Sequence, residues 1–325
     1  MPTHRPISRR DLGRAAAVAA GTAALMGEAA VMPADKQRRP GFPISLNTST
    51  LRGHKLPITR TIEIARQAGY SGIEPWPDEL DRFVQEGGTL SDLRKRLGDA
   101  GLNVTGAIAF FHWMVDDAGQ RQEALEEAKH RMGQLAEIGG TVIAAPPAGD
   151  VESVRLLDAA ERYHDLLVAS EAFGVTPAVE VWGFAKKCSR LGEAALIAIE
   201  ANHPKACILP DVFHLYKGGS SLGAVRHING DLLAGFHVND YPADPPRATI
   251  KDQDRVYPGD GVAPLKAFFR DLWHIGYRGA VSIELFNPAY YKQDPAVVAK
   301  AALAKTKAVM TAAFAEADAS RRDPA

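Results

Sequence analysis

From residue 40 onward the chain alternates short apolar runs with longer stretches in which apolar residues recur every three or four positions. The short runs read as buried strands at 44–47, 72–76, 103–111, 141–145, 177–182, 207–211, 234–239 and 280–286. Helical periodicity fills the intervals. It covers 59–68, where Ile62, Ala65 and Ala68 share a face, then 91–100, 120–138, 151–173, 191–201, 221–228, 263–275 and 295–314. Ser91 reads as the N-cap of the second of these helices and Gly101 as its stop. Eight strand-then-helix units in about 280 residues predict an α/β fold, a closed parallel (β/α)8 TIM barrel. An open doubly wound sheet is the competing arrangement, but no G-x-G-x-x-G follows the first strand.

In such a barrel the chemistry belongs at the C-terminal ends of the strands. Four consecutive apolar runs carry an ionisable group there: Glu180 in the fifth, Asp211 in the sixth, His237 in the seventh and Glu284 in the eighth. Carboxylates among Val, Ile, Leu and Phe are costly unless a cation compensates them. Each alone could be satisfied by an Arg, a Lys or the backbone. Four on adjacent strands, with no basic residue inside those segments, point to one divalent ion. Three carboxylates and one imidazole suit Mn²⁺, Mg²⁺, Co²⁺ or Zn²⁺. His214, three residues after Asp211, is expected in the loop beyond the sixth strand, facing substrate; a plain surface histidine is the other reading. Arg255, in the polar loop 251–261, is expected to clamp a substrate oxygen, or else to pair with Asp254. Glu74, His112, Trp113 and Trp182 follow or end strands and are further substrate-contact candidates, the rings as platforms for the apolar faces of a sugar.

Composition narrows the class. At 46% hydrophobic and 24% charged residues the chain is an ordinary globular one, large enough to need no disulfide staples. A formal net charge of −1 provides no field to attract nucleic acid. Cys188 and Cys207 do not form a CxxC pair and are expected as separate buried thiols. The N-terminus is different from the rest. Ser8-Arg9-Arg10-Asp11-Leu12-Gly13-Arg14 precedes an Ala/Gly-rich apolar run from Ala15 to Met26. This resembles a twin-arginine export signal, assigned here to residues 1–34, with one catalytic domain over 35–325. The run is too short for a stable membrane anchor, so a periplasmic or secreted enzyme is expected.

The last third carries the sharpest motifs. They are Asp211-Val212-Phe213-His214 with Gly218-Gly219-Ser220-Ser221, then Phe236-His237-Val238-Asn239-Asp240, then Asp254-Arg255-Val256-Tyr257-Pro258-Gly259-Asp260-Gly261. Val281-Ser282-Ile283-Glu284-Leu285-Phe286 closes the set. With these motifs the chain resembles the xylose-isomerase-like TIM-barrel superfamily of sugar phosphate isomerases and epimerases. The likeness runs from Phe42 to Phe314, and the C-terminal third looks most like the 2-keto-myo-inositol (inosose) isomerases. The resemblance implies that Glu180, Asp211, His237 and Glu284 ligate one divalent metal, and that His214 and Arg255 contact a small sugar or cyclitol substrate. It implies isomerisation or epimerisation through an enediolate, with Glu180 and Glu284 as the proton-transferring pair. It also suggests a homo-oligomer. An exported 3-keto-glycoside lyase, epimerase or dehydratase with the same metal site is the alternative enzyme. An exported sugar-binding protein on this scaffold is the non-enzyme alternative. A metal-dependent DNA repair nuclease of this fold would need more strand-end histidines and a basic surface.

Overall fold

The computed structural model describes residues 40–322, so the export-signal assignment to residues 1–34 lies outside the described residues. Eight parallel strands form two runs. One has the order β3-β2-β1-β8-β7 and the other β4-β5-β6. Their ranges are β1 Ile44–Asn47, β2 Gly72–Glu74, β3 Asn103–Val104 and β4 Val142–Ala145, then β5 Thr176–Glu180, β6 Ile208–Leu209, β7 Phe236–Val238 and β8 Val281–Ile283. Isolated parallel bridges, Ile108 to Ala144 on one side and both Ile208 to Leu233 and Asp211 to His237 on the other, join the two runs. Each strand therefore neighbours the next in sequence and β8 returns to β1, where Leu46 lies between Ile73 and Ile283. The ring is the predicted (β/α)8 barrel. All four residues of β1 are buried, as expected of strands covered on both faces.

Helices wrap the outside. They are α1 Ile58–Ala68, α2 Pro77–Gln85, α3 Leu90–Asp99, α4 Ala118–Glu137, α5 Leu156–Ser170, α6 Leu191–Glu200, α7 Val212–Gly218, α8 Leu265–His274 and α9 Pro295–Arg322. In α1 the stripe Ile58, Ile62 and Ala65 turns to the barrel and Gly69 ends the helix at φ 90°. Among the described residues no helix is long and apolar enough to cross a membrane. Cys188 and Cys207 are both buried free thiols, as expected.

Four expectations are corrected. The run 103–111 is a continuous strand only at Asn103–Val104; it then passes close to Glu74 and rejoins the barrel only through the single bridge of Ile108 to Ala144. Gly106 permits that crossing, since a Cβ there would lie 2.8 Å from Glu74 Oε1. Helix α3 starts one residue before Ser91, because Thr89 is the N-cap and its hydroxyl accepts from Asp92 N at 3.1 Å. Helix α2 was not foreseen. Its signal was Pro77 at the first position with Glu79 reaching back to accept from Trp76 N at 3.0 Å. The predicted helix 221–228 is a 3-10 segment, Leu222–His227, and the α-helix of that unit is α7. Asp211 caps α7 directly, and Gly219 at φ 87° stops it.

Candidate active site

The strand ends gather buried ionisable groups around one point. One ligand atom each from Asp211, His237 and Glu284 lies within 4.8 Å of the others. Glu180, at the end of β5, sets its Oε1 4.0 Å from His237 Nδ1. Glu284 Oε2 lies 3.5 Å from the same nitrogen. All four side chains are at most 5% exposed. Glu180 Oε2 and His237 Nδ1 have no hydrogen-bond partner although both are buried. Such atoms in a dry interior are costly unless something fills the gap between them.

The opposite nitrogen of the imidazole is occupied. His237 Nε2 lies 3.1 Å from the Glu74 carboxylate. When it donates that bond, the Nδ1 lone pair is left facing Glu180 and Glu284, an arrangement typical of a metal-ligating histidine with a carboxylate behind it. Glu74 is thus placed behind His237 and away from the substrate cavity expected for it. Asn47, which closes β1, ties the two halves together. Its Nδ2 donates to Glu74 Oε2 at 3.1 Å and to Glu284 Oε1 at 3.2 Å. Asn239 donates to Asp211 Oδ2 at 2.7 Å, while Asp211 Oδ1 accepts from His214 N at 2.7 Å. One aspartate therefore caps a helix and keeps its second oxygen on the cluster. The residue set fits a divalent cation with oxygen and nitrogen ligands: orphaned Oε2 and Nδ1 atoms, a pre-set imidazole tautomer, and excess buried negative charge.

Arg255 is the cation that the structure does contain. It is fully buried and its Nη1 bridges Glu284 Oε2 at 2.7 Å and Asp211 Oδ2 at 3.0 Å. Its Nη2 reaches Asp252 Oδ1 at 2.5 Å and His214 Nε2 at 3.0 Å. Its partner within the loop is therefore Asp252; Asp254 instead accepts from Lys251 N at 2.8 Å. His214 lies in the first turn of α7, buried, not in an open loop, because Asp211 starts the helix at once.

These surroundings set the protonation states. Burial drives the Glu180 carboxyl up to about 8 against the pull of His237. Burial works against the charged form of His237, but Glu74 and Glu284 outweigh it and raise the ring to about 10. For Glu74, burial is overcome by His237 and Asn47, and its carboxyl is held low. Burial and the nearby Arg255 charge keep His214 neutral, well below the usual imidazole range. A pH dependence follows for the metal-free protein. Both raised groups bind a proton in the fold that the unfolded chain releases. Their stabilisation is complete below 4.5 for Glu180 and 6.5 for His237, and is lost as pH rises through about 8 and about 10. Chelated protein should show a melting temperature that falls between pH 6 and 9. A bound divalent ion replaces those protons, so added Mn²⁺ or Zn²⁺ should remove or reverse that slope. A rising slope in the chelated sample would contradict the assignment.

Above this floor opens a cavity of about 370 Å³. Glu180, His214, Asp252, Gln253, Arg255 and Glu284 form its polar side, and Trp76, Phe110, Trp182 and Phe286 contribute rings. Trp182 is where the sequence placed it. His112 and Trp113 do not line this cavity. Trp113 is buried, donates from Nε1 to Ala145 O and Pro146 O at 3.2 and 3.0 Å, and packs on Tyr163. His112 is exposed beside another surface groove. Sequence reasoning missed Asn47, Asn239 and Asp252 as members of the cluster. Asn47 and Asn239 do sit at strand ends, the signal that found the carboxylates, but a neutral amide there reads equally well as a turn former.

Several known proteins are similar. An inosose isomerase of Bacillus velezensis is 28% identical over 270 residues, covering 79% of this chain and 93% of that protein. A fructoselysine 3-epimerase of Escherichia coli O157:H7 is 24% identical over 273 residues, covering 79% and 96%. The solved structure of the IolI protein with a bound zinc atom superposes with a TM-score of 0.77 at 24% identity, covering 84% of this chain and 99% of that one. The family description that matches is "xylose isomerase-like TIM barrel", over residues 62–308. With more than half of its 325 residues matched and a closed eight-stranded parallel barrel around the site, the chain belongs to the xylose isomerase-like TIM barrel family.

Proposed function

We propose that this chain is a divalent-metal-dependent isomerase or epimerase acting on a small polyhydroxy ketone, of the sugar or cyclitol kind that its relatives are named for. The observation that carries the reading is the convergence of Asp211, His237 and Glu284 within 4.8 Å, with Glu180 beside the same imidazole nitrogen. A cation held there, Mn²⁺, Mg²⁺, Co²⁺ or Zn²⁺, supplies Lewis acidity to a substrate carbonyl and so acidifies the neighbouring C–H. Glu180 and Glu284 are the proton-transferring pair. One carboxylate takes the proton from the carbon next to the carbonyl, leaving an enediolate, and the same or the other group returns it. Return to the opposite face of that carbon inverts it; return to the adjacent carbon, with an oxygen-to-oxygen proton shift, moves the carbonyl. Neutral His214 offers its unpartnered Nδ1 to a substrate hydroxyl. The Arg255 guanidinium, beside Glu284, counters negative charge as it develops on oxygen.

The test is incorporation of solvent deuterium into a panel of ketoses, inososes and 3-keto-glycosides with Mn²⁺ present, followed by NMR of the products. Deuterium at the carbon next to the carbonyl in at least one ketone supports the reading. Binding without exchange across the whole panel would favour a sugar-binding protein. The paired arginines ahead of the Ala15–Met26 run support export of this enzyme, testable by fractionating cells that make the full chain.

A further inference from the structure

Arg255 keeps no hydrogen for a ligand. A guanidinium carries five N–H donors and no acceptor. Here Nε donates to Asp252 Oδ1, Nη1 to Asp211 Oδ2 and Glu284 Oε2, and Nη2 to Asp252 Oδ1 and His214 Nε2. The side chain is fully buried, with the Phe213 and Phe286 rings against it. A substrate oxygen feels its charge but finds no free N–H on it. Among the described residues no other Lys or Arg lines the cavity.

The two cavity-lining groups on its Nη2 differ in what they offer. His214 Nε2 accepts from Arg255, so the ring hydrogen sits on Nδ1, which is buried and without a partner. His214 is therefore a donor. Asp252 spends Oδ1 on Arg255 Nε and Nη2, and no hydrogen bond from a described residue reaches its Oδ2. Its side chain lines the cavity and is 38% exposed, against 1% for Arg255. As a carboxylate oxygen, Oδ2 only accepts. The backbone holds it in place as well: Arg255 N donates to Asp252 O at 3.1 Å, and Asn287 Nδ2 to Arg255 O at 2.9 Å. Gln253 beside it can donate or accept, so it selects little.

We infer that Asp252 is a specificity-determining residue: its Oδ2 accepts a hydrogen bond from a free, uncharged hydroxyl at the end of the substrate remote from the reacting carbonyl, and it turns away substrates that carry a phosphate or carboxylate there. Which end reacts rests on the function proposed above, with the carbonyl end at Glu180 and Glu284. A hydroxyl donating to a fixed carboxylate makes one of the stronger hydrogen bonds. An ionised phosphate at the same place has no hydrogen to give and sets like charge against Asp252, with Arg255 already committed to its carboxylate partners.

Calorimetric titration of the metal-loaded full chain tests this with D-glucose and D-glucose 6-phosphate, which share the C1–C2 end and differ at the far one. Wild type should bind glucose at least about tenfold tighter than the ester, the size of one hydrogen bond to a charged group. Asp252→Asn keeps an oxygen for Arg255 and puts an NH₂ donor in place of Oδ2. In that variant glucose should bind about tenfold weaker and the ester tighter than in wild type. A residue that merely braces Arg255 would weaken both probes alike. Circular dichroism shows whether the variant folds; if it does not, the wild-type preference decides. Equal affinities or a preference for the ester in wild type, equal changes in the folded variant, or no binding of either probe overturns the assignment. The titration needs no turnover. Failure of isotope exchange would therefore sink the isomerase reading while these affinities still decided the role of Asp252.

Discussion

Glu284→Gln should slow deuterium exchange by about a thousandfold or more, within the range of roughly 10²–10⁴ supplied by a positioned acid–base group and deepened by a weakened metal site. The substitution is nearly isosteric, but it removes the negative charge that faces both Arg255 Nη1 and His237 Nδ1. It also forces a choice. If the amide oxygen accepts from Arg255, the amide nitrogen meets the Asn47 Nδ2 donor that now bonds Oε1. Circular dichroism and the melting temperature should show a folded barrel, and metal content measured on the same sample separates loss of the base from loss of the ion. Activity within tenfold of wild type would remove Glu284 from the proton-transfer role.

The second large effect is on stability. Arg255→Met should cost the metal-free protein about 3–5 kcal/mol, the usual penalty for leaving a buried charge without its partner. The cost arises because Nη1 lies on Asp211 and Glu284 and Nη2 on Asp252, and Asp211 and Glu284 have almost no access to water. Methionine would keep much of the packing between Phe213 and Phe286, whose rings the guanidinium now overlies at 4.7 and 5.2 Å. The loss is therefore mainly electrostatic, and a second cation can repair it. Thermal melts with saturating Mn²⁺ or Zn²⁺ should recover a large part of the deficit, while the wild type gains less. A deficit below about 1 kcal/mol, as for a solvated surface pair, would mean that the network is open to water.

The barrel was legible because parallel strands buried on both faces read as compact apolar runs, and each run here is followed by helical periodicity. The same contrast exposed Glu180, Asp211, His237 and Glu284, since an ionisable group inside an apolar run stands out. What escaped was set by close packing across the ring. Glu74 ends a strand just as Glu180 does, and nothing in Gly72-Ile73-Glu74 tells that it meets the back of His237, 163 positions away. His214 reads as a loop residue because the helix that holds it is only seven residues long and its cap, Asp211, is also the carboxylate that ends the sixth apolar run. His112 and Trp113 follow an apolar run too, but that run is a regular strand only at Asn103–Val104, touches β4 again only at Ile108, and delivers them away from the cluster.

A divalent ion at the junction of β5 to β8 is the centre of the proposed chemistry. Solvent-deuterium exchange with an accepted ketone, followed through exhaustive chelation and titration back with Mn²⁺, tests it most directly. Exchange should vanish on chelation and return in full at one ion per chain, with no return in a His237→Gln variant. Undiminished exchange in protein shown by elemental analysis to be free of metal would contradict it.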